Sequence, residues 1–267
     1  MAPRPFWKGY LKLSLVTCPV AMMPATSEAD KLRFHTLNAQ TGNRVISRYV
    51  DAVSGKPVRD KDEAKGYARG EDDYVLLEDD ELDSIALDSA RTIDIDMFVP
   101  AGSIGWIWYD KPHYLIPDDR IGAEAFSVIR EAMAKSDMVG ISRLVLYRRE
   151  RAVLLVPRGK GIVLWTLRYG DEVRPEGDYF GGLDTADGDP AALRLVTRLI
   201  KDRTRPWSPE MAHDPVQDRL LDIIAAKKKG RSKPKTTKAP AEKPGNVVNI
   251  MDALKKSLAA ETRGKKS

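Results

Sequence analysis

Apolar and polar residues alternate with a period of two through Gly9-Tyr10-Leu11-Lys12-Leu13-Ser14-Leu15-Val16, and this pattern constrains the fold more than any other feature of the chain. Successive side chains of a strand point to opposite faces, so such a run buries one face and wets the other. Similar runs recur at Arg44–Val50, Arg91–Val99, Ile104–Tyr109, Ile141–Tyr147, Ala152–Val156 and Ile162–Tyr169. Each is short, rich in Val, Ile, Trp or Tyr, and bounded by Gly, Pro or Asp turns. Seven strands of this kind predict a barrel. Between the fourth and fifth, Asp119–Ser136 sets Ile121, Ala125, Ile129 and Met133 at helical spacing behind an Asp that can cap them, which predicts one helix covering the barrel.

The pattern changes after Gly182. Asp187-Gly188-Asp189-Pro190 opens a helix with the stripe Leu193, Val196, Leu199 and Ile200. A second helix starts at Ser208-Pro209-Glu210, carries Met211, Val216, Leu220, Ile223 and Ile224 on one face, and stops at Gly230 after Lys227-Lys228-Lys229. These helices predict an arm. From Arg231 to Pro244 the chain is Lys, Pro, Thr, Ala and Ser with almost nothing to bury, a flexible linker. Beyond it Asn246 can cap a short helix whose apolar face is Val247, Ile250, Met251, Leu254 and Leu258. The expected division is a core over 1–182, an arm over 183–230 and a basic tail over 231–267.

Charge supplies the first functional clue. From Ala225 to Ser267 there are 13 basic and 3 acidic residues, leaving 31 basic and 36 acidic residues in the rest of the chain. Inside that mildly acidic part, Asp60–Asp96 holds 14 acids and 4 bases, whereas Arg143–Arg168 holds 7 bases and only Glu150 as an acid. A surface divided this way suits a polyanion held on one side, with the acidic face repelling it from the other. No stretch reaches the ~20 apolar residues of a membrane span, and the N-terminus lacks an apolar signal run. The expected location is therefore the cytoplasm, in association with the nucleoid.

Chemistry is harder to find. Cys18 is the only cysteine, so neither an internal disulfide nor a Cys-based zinc site can form. His35, His113 and His213 stand apart in sequence, and Arg158-Gly159-Lys160-Gly161-Ile162 has the wrong spacing for a phosphate loop and reads as a hairpin turn. The acids around Asp72-Asp73 and Glu78-Asp79-Asp80-Glu81 could be drawn as a divalent-ion cluster, but adjacent acids on one element point in different directions. The sequence argues for binding rather than catalysis, with no cofactor and no metal.

Phe6-Trp7-Lys8-Gly9-Tyr10-Leu11-Lys12-Leu13-Ser14-Leu15-Val16, then Cys18-Pro19-Val20 and Pro24-Ala25-Thr26, resembles the opening strand of the bacterial Ku family. Further blocks follow in family order: Lys65-Gly66-Tyr67, Tyr74-Val75-Leu76-Leu77, Ile93-Asp94-Ile95, Lys111-Pro112-His113-Tyr114-Leu115-Ile116-Pro117, Arg130-Glu131-Ala132-Met133 and Leu164-Trp165-Thr166-Leu167-Arg168-Tyr169-Gly170. At His113-Tyr114 the family more usually has an aromatic pair. The resemblance covers nearly the whole chain. It implies a mainly β fold with helices: a seven-stranded β-barrel whose long inserted hairpin, with that of a second subunit, closes around duplex DNA, and a C-terminal helical arm that embraces the partner. It also implies a homodimer that binds double-stranded DNA ends and recruits an ATP-dependent DNA ligase for non-homologous end joining, with no catalytic residues.

A ring that accepts any end must hold the sugar-phosphate backbone, which calls for Arg and Lys rather than base-reading amides. Arg148, Arg149 and Arg151 fit that need, and Arg143, Arg158 and Lys160 extend the stripe. Lys31, Arg33, Arg44 and Arg48 lie where the family's loop around DNA begins, and Lys227, Lys228 and Lys229 precede the basic linker. The tail helix, through Val247, Ile250, Met251, Leu254 and Leu258, is expected to dock on the ligase. Two rival readings are a DNA-end-processing enzyme and a nucleoid protein that coats DNA without regard to ends.

Overall fold

The alternating strands close on themselves. A computed structural model describes residues 4–29, 31–85, 91–183 and 189–229, and the chain divides into two units between Glu176 and Gly177. In the first, seven strands form a closed barrel: β1 (Trp7–Leu13), β2 (Val16–Pro24), β5 (Thr92–Pro100), β6 (Tyr109–Pro117), β7 (Met138–Leu146), β8 (Arg149–Arg158) and β9 (Gly161–Leu167). Around the barrel they run β1-β2-β6-β9-β8-β7-β5. Neighbours are antiparallel except β5 and β1, which close the ring in parallel. Gly9 permits that closure, because a Cβ there would lie 2.1 Å from the carbonyl oxygen of Arg91.

The interior is filled from all sides by Leu11, Val20, Met22, Ile93, Leu115, Leu144, Val153, Leu155, Ile162 and Leu164, and Cys18 packs among them. Each fully buried Leu or Ile contributes about 1.5–3 kcal/mol. The helix α2 (Gly122–Lys135) adds Phe126, Ile129 and Met133 to the same core. Asp119 accepts a hydrogen bond from the Gly122 N–H and so caps the helix. Ile121, assigned by spacing to its buried stripe, is instead 91% exposed, because the helix begins one residue later and Phe126 takes the inward place. Arg130 on α2 donates to the carbonyl of Gly159 in the β8–β9 turn, which sets the helix at that end of the barrel. The other end, where β7 turns into β8, stays open.

Several strands differ from the sequence expectation. The Gly9–Val16 run is two strands, since Ser14 takes a left-handed φ of 55° and makes a tight turn without the Gly or Asn that would announce one. Ile104–Tyr109 is not a strand: Trp106–Trp108 forms a 3-10 turn, and β6 starts at Tyr109. β6 was hidden by Pro112, which a paired strand tolerates here because the β6–β9 register shifts beside it. Arg44–Val50 is not a strand either, and touches regular pairing only through the isolated bridges Leu37–Arg44 and Val50–Pro57. A small hairpin, β3 (Lys65–Gly70) with β4 (Asp73–Leu77), and a short helix α1 (Asp79–Ser84) were not anticipated.

The second unit contains a single-turn helix α3 (Gly177–Phe180), α4 (Pro190–Arg203) and α5 (Pro215–Lys228). Asp189 caps α4 through the Ala191 N–H. The helix expected from Ser208 is two elements. A 3-10 turn spans Pro209–Ala212, and α5 is capped separately by Asp214, whose carboxylate accepts from Val216 and Gln217. Pro215 forces that break, because it has no N–H to continue a preceding helix. Neither α4 nor α5 buries a residue, and Leu193, Ile200 and Val216 are exposed.

Candidate nucleic-acid interface

The connection from β2 to β5 carries most of what projects from the barrel. It leaves at Pro24 and returns at Thr92; both ends lie at the open lip, since Pro24 ends β2 beside the start of β1 and Thr92 pairs with Tyr10. Its first part, 25–64, is a long excursion in which no residue from 33 to 57 is buried. Its shape comes from one turn device used twice. Asn38 pairs its N–H with Asn43, accepts from Gly42, and takes Gln40 and Thr41 N–H groups on its side chain. Asp51 does the same with Lys56, Gly55, Val53 and Ser54. Gly42 and Gly55 supply the left-handed turns at φ 72° and 66°. The hydrogen bonds from Ser54 hold the Asp51 carboxyl below the usual carboxylate range. Local polar bonds, not a core, organise this segment.

Lys31, Arg33, Arg44 and Arg48 are all on the excursion and exposed. Lys31 is paired with Glu28 at 2.7 Å, which lowers the Glu28 pKa, and Arg44 sits in the first bridge. Arg48 borders a shallow hollow with Tyr49, Arg59 and Lys61.

The open lip is built by the β7–β8 turn. Tyr147 and Arg148 both have left-handed φ, 52° and 63°, the signature of a two-residue type I′ turn made here without Asn or Gly. Register then separates the basic stripe. Arg149 lies opposite Leu146 and Arg151 opposite Leu144, so both follow the inward-facing series at the mouth. Arg143 pairs across to Ala152 on the outer face, where its guanidinium meets Glu150 at 2.9 Å. Arg158 and Lys160 flank the far turn of β8, roughly 30 Å from Arg149 at about 3.3 Å per residue, and cannot share a patch with it.

Acids answer several of these cations. Arg148 meets Asp83 of α1 at 2.7 Å, and Asp110 receives Arg151 at 3.8 Å and Arg168 at 3.5 Å. The Arg151 guanidinium also lies over the Tyr169 ring, 5.0 Å from its centre. Among the described residues no ion pair engages Arg149, Arg158 or Lys160. The acidic stretch 60–96 therefore does not simply face away from the basic side, because Asp83 belongs to it. Lys111, Asp110 and Arg168 join the lip from β6 and the end of β9; Arg168 belongs to the basic stretch read from sequence, but Asp110 and Lys111 gave no such signal, because only register brings these strand ends beside Arg151.

Lys227, Lys228 and Lys229 close α5, where cations complement the carbonyl end of the helix. Val247, Ile250, Met251, Leu254 and Leu258, with the whole of 230–267, lie outside the described residues. No three His, Cys, Asp or Glu side chains converge as a metal site among the described residues. No described helix is long and apolar enough to cross a membrane.

A closed seven-stranded barrel with a long exposed insertion rooted at a basic lip defines a Ku-type β-barrel, and the family model described as the Ku70/Ku80 beta-barrel domain matches residues 12–193. A protein of Methylocella silvestris called non-homologous end joining protein Ku is 67% identical over 263 residues, covering 97% of this chain and 96% of its own length. One of the same name from Allorhizobium ampelinum is 60% identical over the full length of both, and another from Archaeoglobus fulgidus is 33% identical over 96% of this chain and 99% of its own length. The chain belongs to the Ku family of non-homologous end joining proteins.

Proposed function

We propose that the protein acts as a homodimeric ring that threads onto double-stranded DNA ends without sequence preference and presents them to an ATP-dependent DNA ligase, with no chemistry of its own. The observation that carries this reading is the excursion 25–64. It leaves Phe34, Leu37, Ile46, Tyr49 and Val50 open to solvent, 56–73% exposed, on a segment with no core. An apolar surface of that extent marks a site awaiting a partner, and a second copy supplies one of matching chemistry. Arg33, Arg44 and Arg48 on the excursion, with Arg148, Arg149 and Arg151 at the lip from which it springs, provide phosphate contacts that carry no base information.

The test compares binding to linear duplex, covalently closed circular duplex, and linear duplex blocked at both ends by bulky caps. A ring binds only the open linear form, and circularisation after loading traps it. Equal affinity for circles would establish a coating protein, and Mg²⁺-dependent turnover lost on changing Asp72 or Asp79 would establish an enzyme. Light scattering that finds a stable monomer at micromolar concentration would refute the dimer.

A further inference from the structure

The end of the barrel opposite the lip carries an apolar cleft of about 370 Å³, within the ~300–1,000 Å³ of sites that seat a ligand. Its walls are Leu13 at the end of β1, Phe98 near the end of β5, Met138 at the start of β7, and Ile129, Ala132 and Met133 on α2; the one polar residue that lines it is Ser136. The course of β5 opens it. Ile93 and Ile95 face the core, and strict alternation would turn Met97 inward as well. The pairing with β7 is irregular between Ile95 and Met97, a bulge that re-aims the strand, and Met97 and Phe98 come out 56% and 41% exposed. Leu15 in the β1–β2 turn and Val128 on α2 are exposed too. Apolar groups left in water together in this way mark an interaction site. The uncompensated charges beside the cleft are acidic. Asp96 precedes Met97, Asp137 precedes Met138, and among the described residues no ion pair engages either acid, whereas Lys12 is taken by Asp94 and Lys135 by Glu131. The partner that fits is apolar along one face and basic beside it.

We propose that the cleft receives the tail segment 246–260 of a second copy. In its sequence Val247, Ile250, Met251, Leu254 and Leu258 recur at three and four residues, the spacing of a helix laid in a groove. Lys255 and Lys256 within it, with Arg263, Lys265 and Lys266 just beyond, outnumber Asp252 and Glu261 and so complement Asp96 and Asp137. In the proposed homodimer each copy has one cleft and one tail, so the exchange closes on itself as a two-fold contact and leaves no apolar stripe uncovered. Tethering raises the effective concentration of the segment to about the millimolar range, so a groove of modest intrinsic affinity holds it. The exchange rests on the dimer reading above and is separate from the lip, which lies at the other end of β7.

The experiment places the photo-crosslinker benzoylphenylalanine at Leu254 of the full-length protein and illuminates it. A covalent species of twice the chain mass should form, and mass spectrometry should map its junction to 97–98 or 129–138. Phe98→Ser should lower the yield roughly tenfold, the loss of one aromatic anchor. Asp137→Asn should lower it about two- to threefold at low salt and not at high salt; Asn suits the left-handed φ of 53° there, so this variant stays decisive even where Phe98→Ser weakens the barrel. End binding should be unchanged in both. Junctions scattered over the surface, or a yield that survives both substitutions, would overturn the proposal. A junction at the cleft within a single chain would assign the groove to the chain's own tail and overturn the exchange between copies. A dimer by light scattering with no crosslink would overturn the exchange alone, whereas a monomer would overturn the dimer reading with it.

Discussion

Replacing Arg148, Arg149 and Arg151 together by Ala tests the lip directly, and the structure assigns the three unequal effects. Each phosphate contact contributes ~0.9 to the slope of log K against log salt, so the triple variant should lower the slope by up to about 2.7. Affinity should divide differently. Among the described residues no acid pairs with Arg149, whereas Arg148 is held by Asp83 at 2.7 Å and Arg151 shares Asp110 at 3.8 Å with Arg168. A phosphate that takes Arg148 must displace a carboxylate, so Arg149→Ala should weaken binding more than Arg148→Ala. Conversely, Asp83→Asn should strengthen binding. Both partners of the Arg148–Asp83 pair are 61% exposed, and exposed pairs contribute ~0.2–1 kcal/mol, so the gain should be about 1.4- to fivefold. Arg151→Ala also loses the stack on Tyr169, about 0.5–1 kcal/mol of fold stability, and thermal denaturation must confirm that the variants stay folded. The assay is fluorescence anisotropy of a labelled linear duplex across a salt titration. An unchanged slope in the triple variant would show that the lip faces solvent, and an Asp83→Asn variant that binds no better would show that the acid does not compete with DNA.

Leu164, fully buried in the barrel, should cost about 2–5 kcal/mol when truncated to Ala, read by urea denaturation at fixed protein concentration. His113 is depressed by burial, so the unfolded chain binds its proton first as pH falls below ~6.5; stability should fall with pH there and level off below the lower folded pKa, and His113→Phe should flatten the profile. Truncation at Gly245 should abolish stimulation of the cognate ligase with end binding retained, Leu254→Asp should mimic it, and truncation at Ala226 should also weaken retention on DNA. Ligase stimulation that survives both the Gly245 cut and Leu254→Asp would move the docking site to the barrel.

The barrel was legible because its strands carry their own composition: Ile162–Leu167 is almost wholly β-branched, aromatic or Leu, and Met138–Leu146 is rich in Val, Ile and Leu, whatever surrounds them. The errors share a cause, which is that local composition does not report distant pairing. Arg44–Val50 has the Val, Ile and Tyr of a strand, but the Asx turns on either side limit its pairing to one isolated bridge at each end. Pro112 hid β6, where an irregularity between Tyr109 and Pro112 in the pairing with β9 accommodates it. At the site, the run 148–151 was visible as charge, but its division into mouth and outer face follows from pairing with β7, and the meeting of Asp110, Arg151 and Arg168 follows from the pairing of β9 with both β6 and β8.

The pairing of acids with these arginines also bears on how the lip should handle DNA. A surface of unpaired arginines would grip phosphate strongly and slide poorly, because each contact would have to break into water. Here Arg148 and Arg151 have carboxylates within 2.7 and 3.8 Å to return to. On the proposed ring reading, Asp83 or Asp110 would replace a phosphate that leaves, so the free energy between successive registers would vary less than the strength of any one contact. The acids would then lower affinity and smooth movement along the duplex by the same exchange. Asp83→Asn should therefore raise affinity and slow one-dimensional diffusion together, measurable by tracking labelled protein on end-blocked linear DNA after loading. Tighter binding with unchanged or faster diffusion would show that Asp83 serves only to weaken the grip.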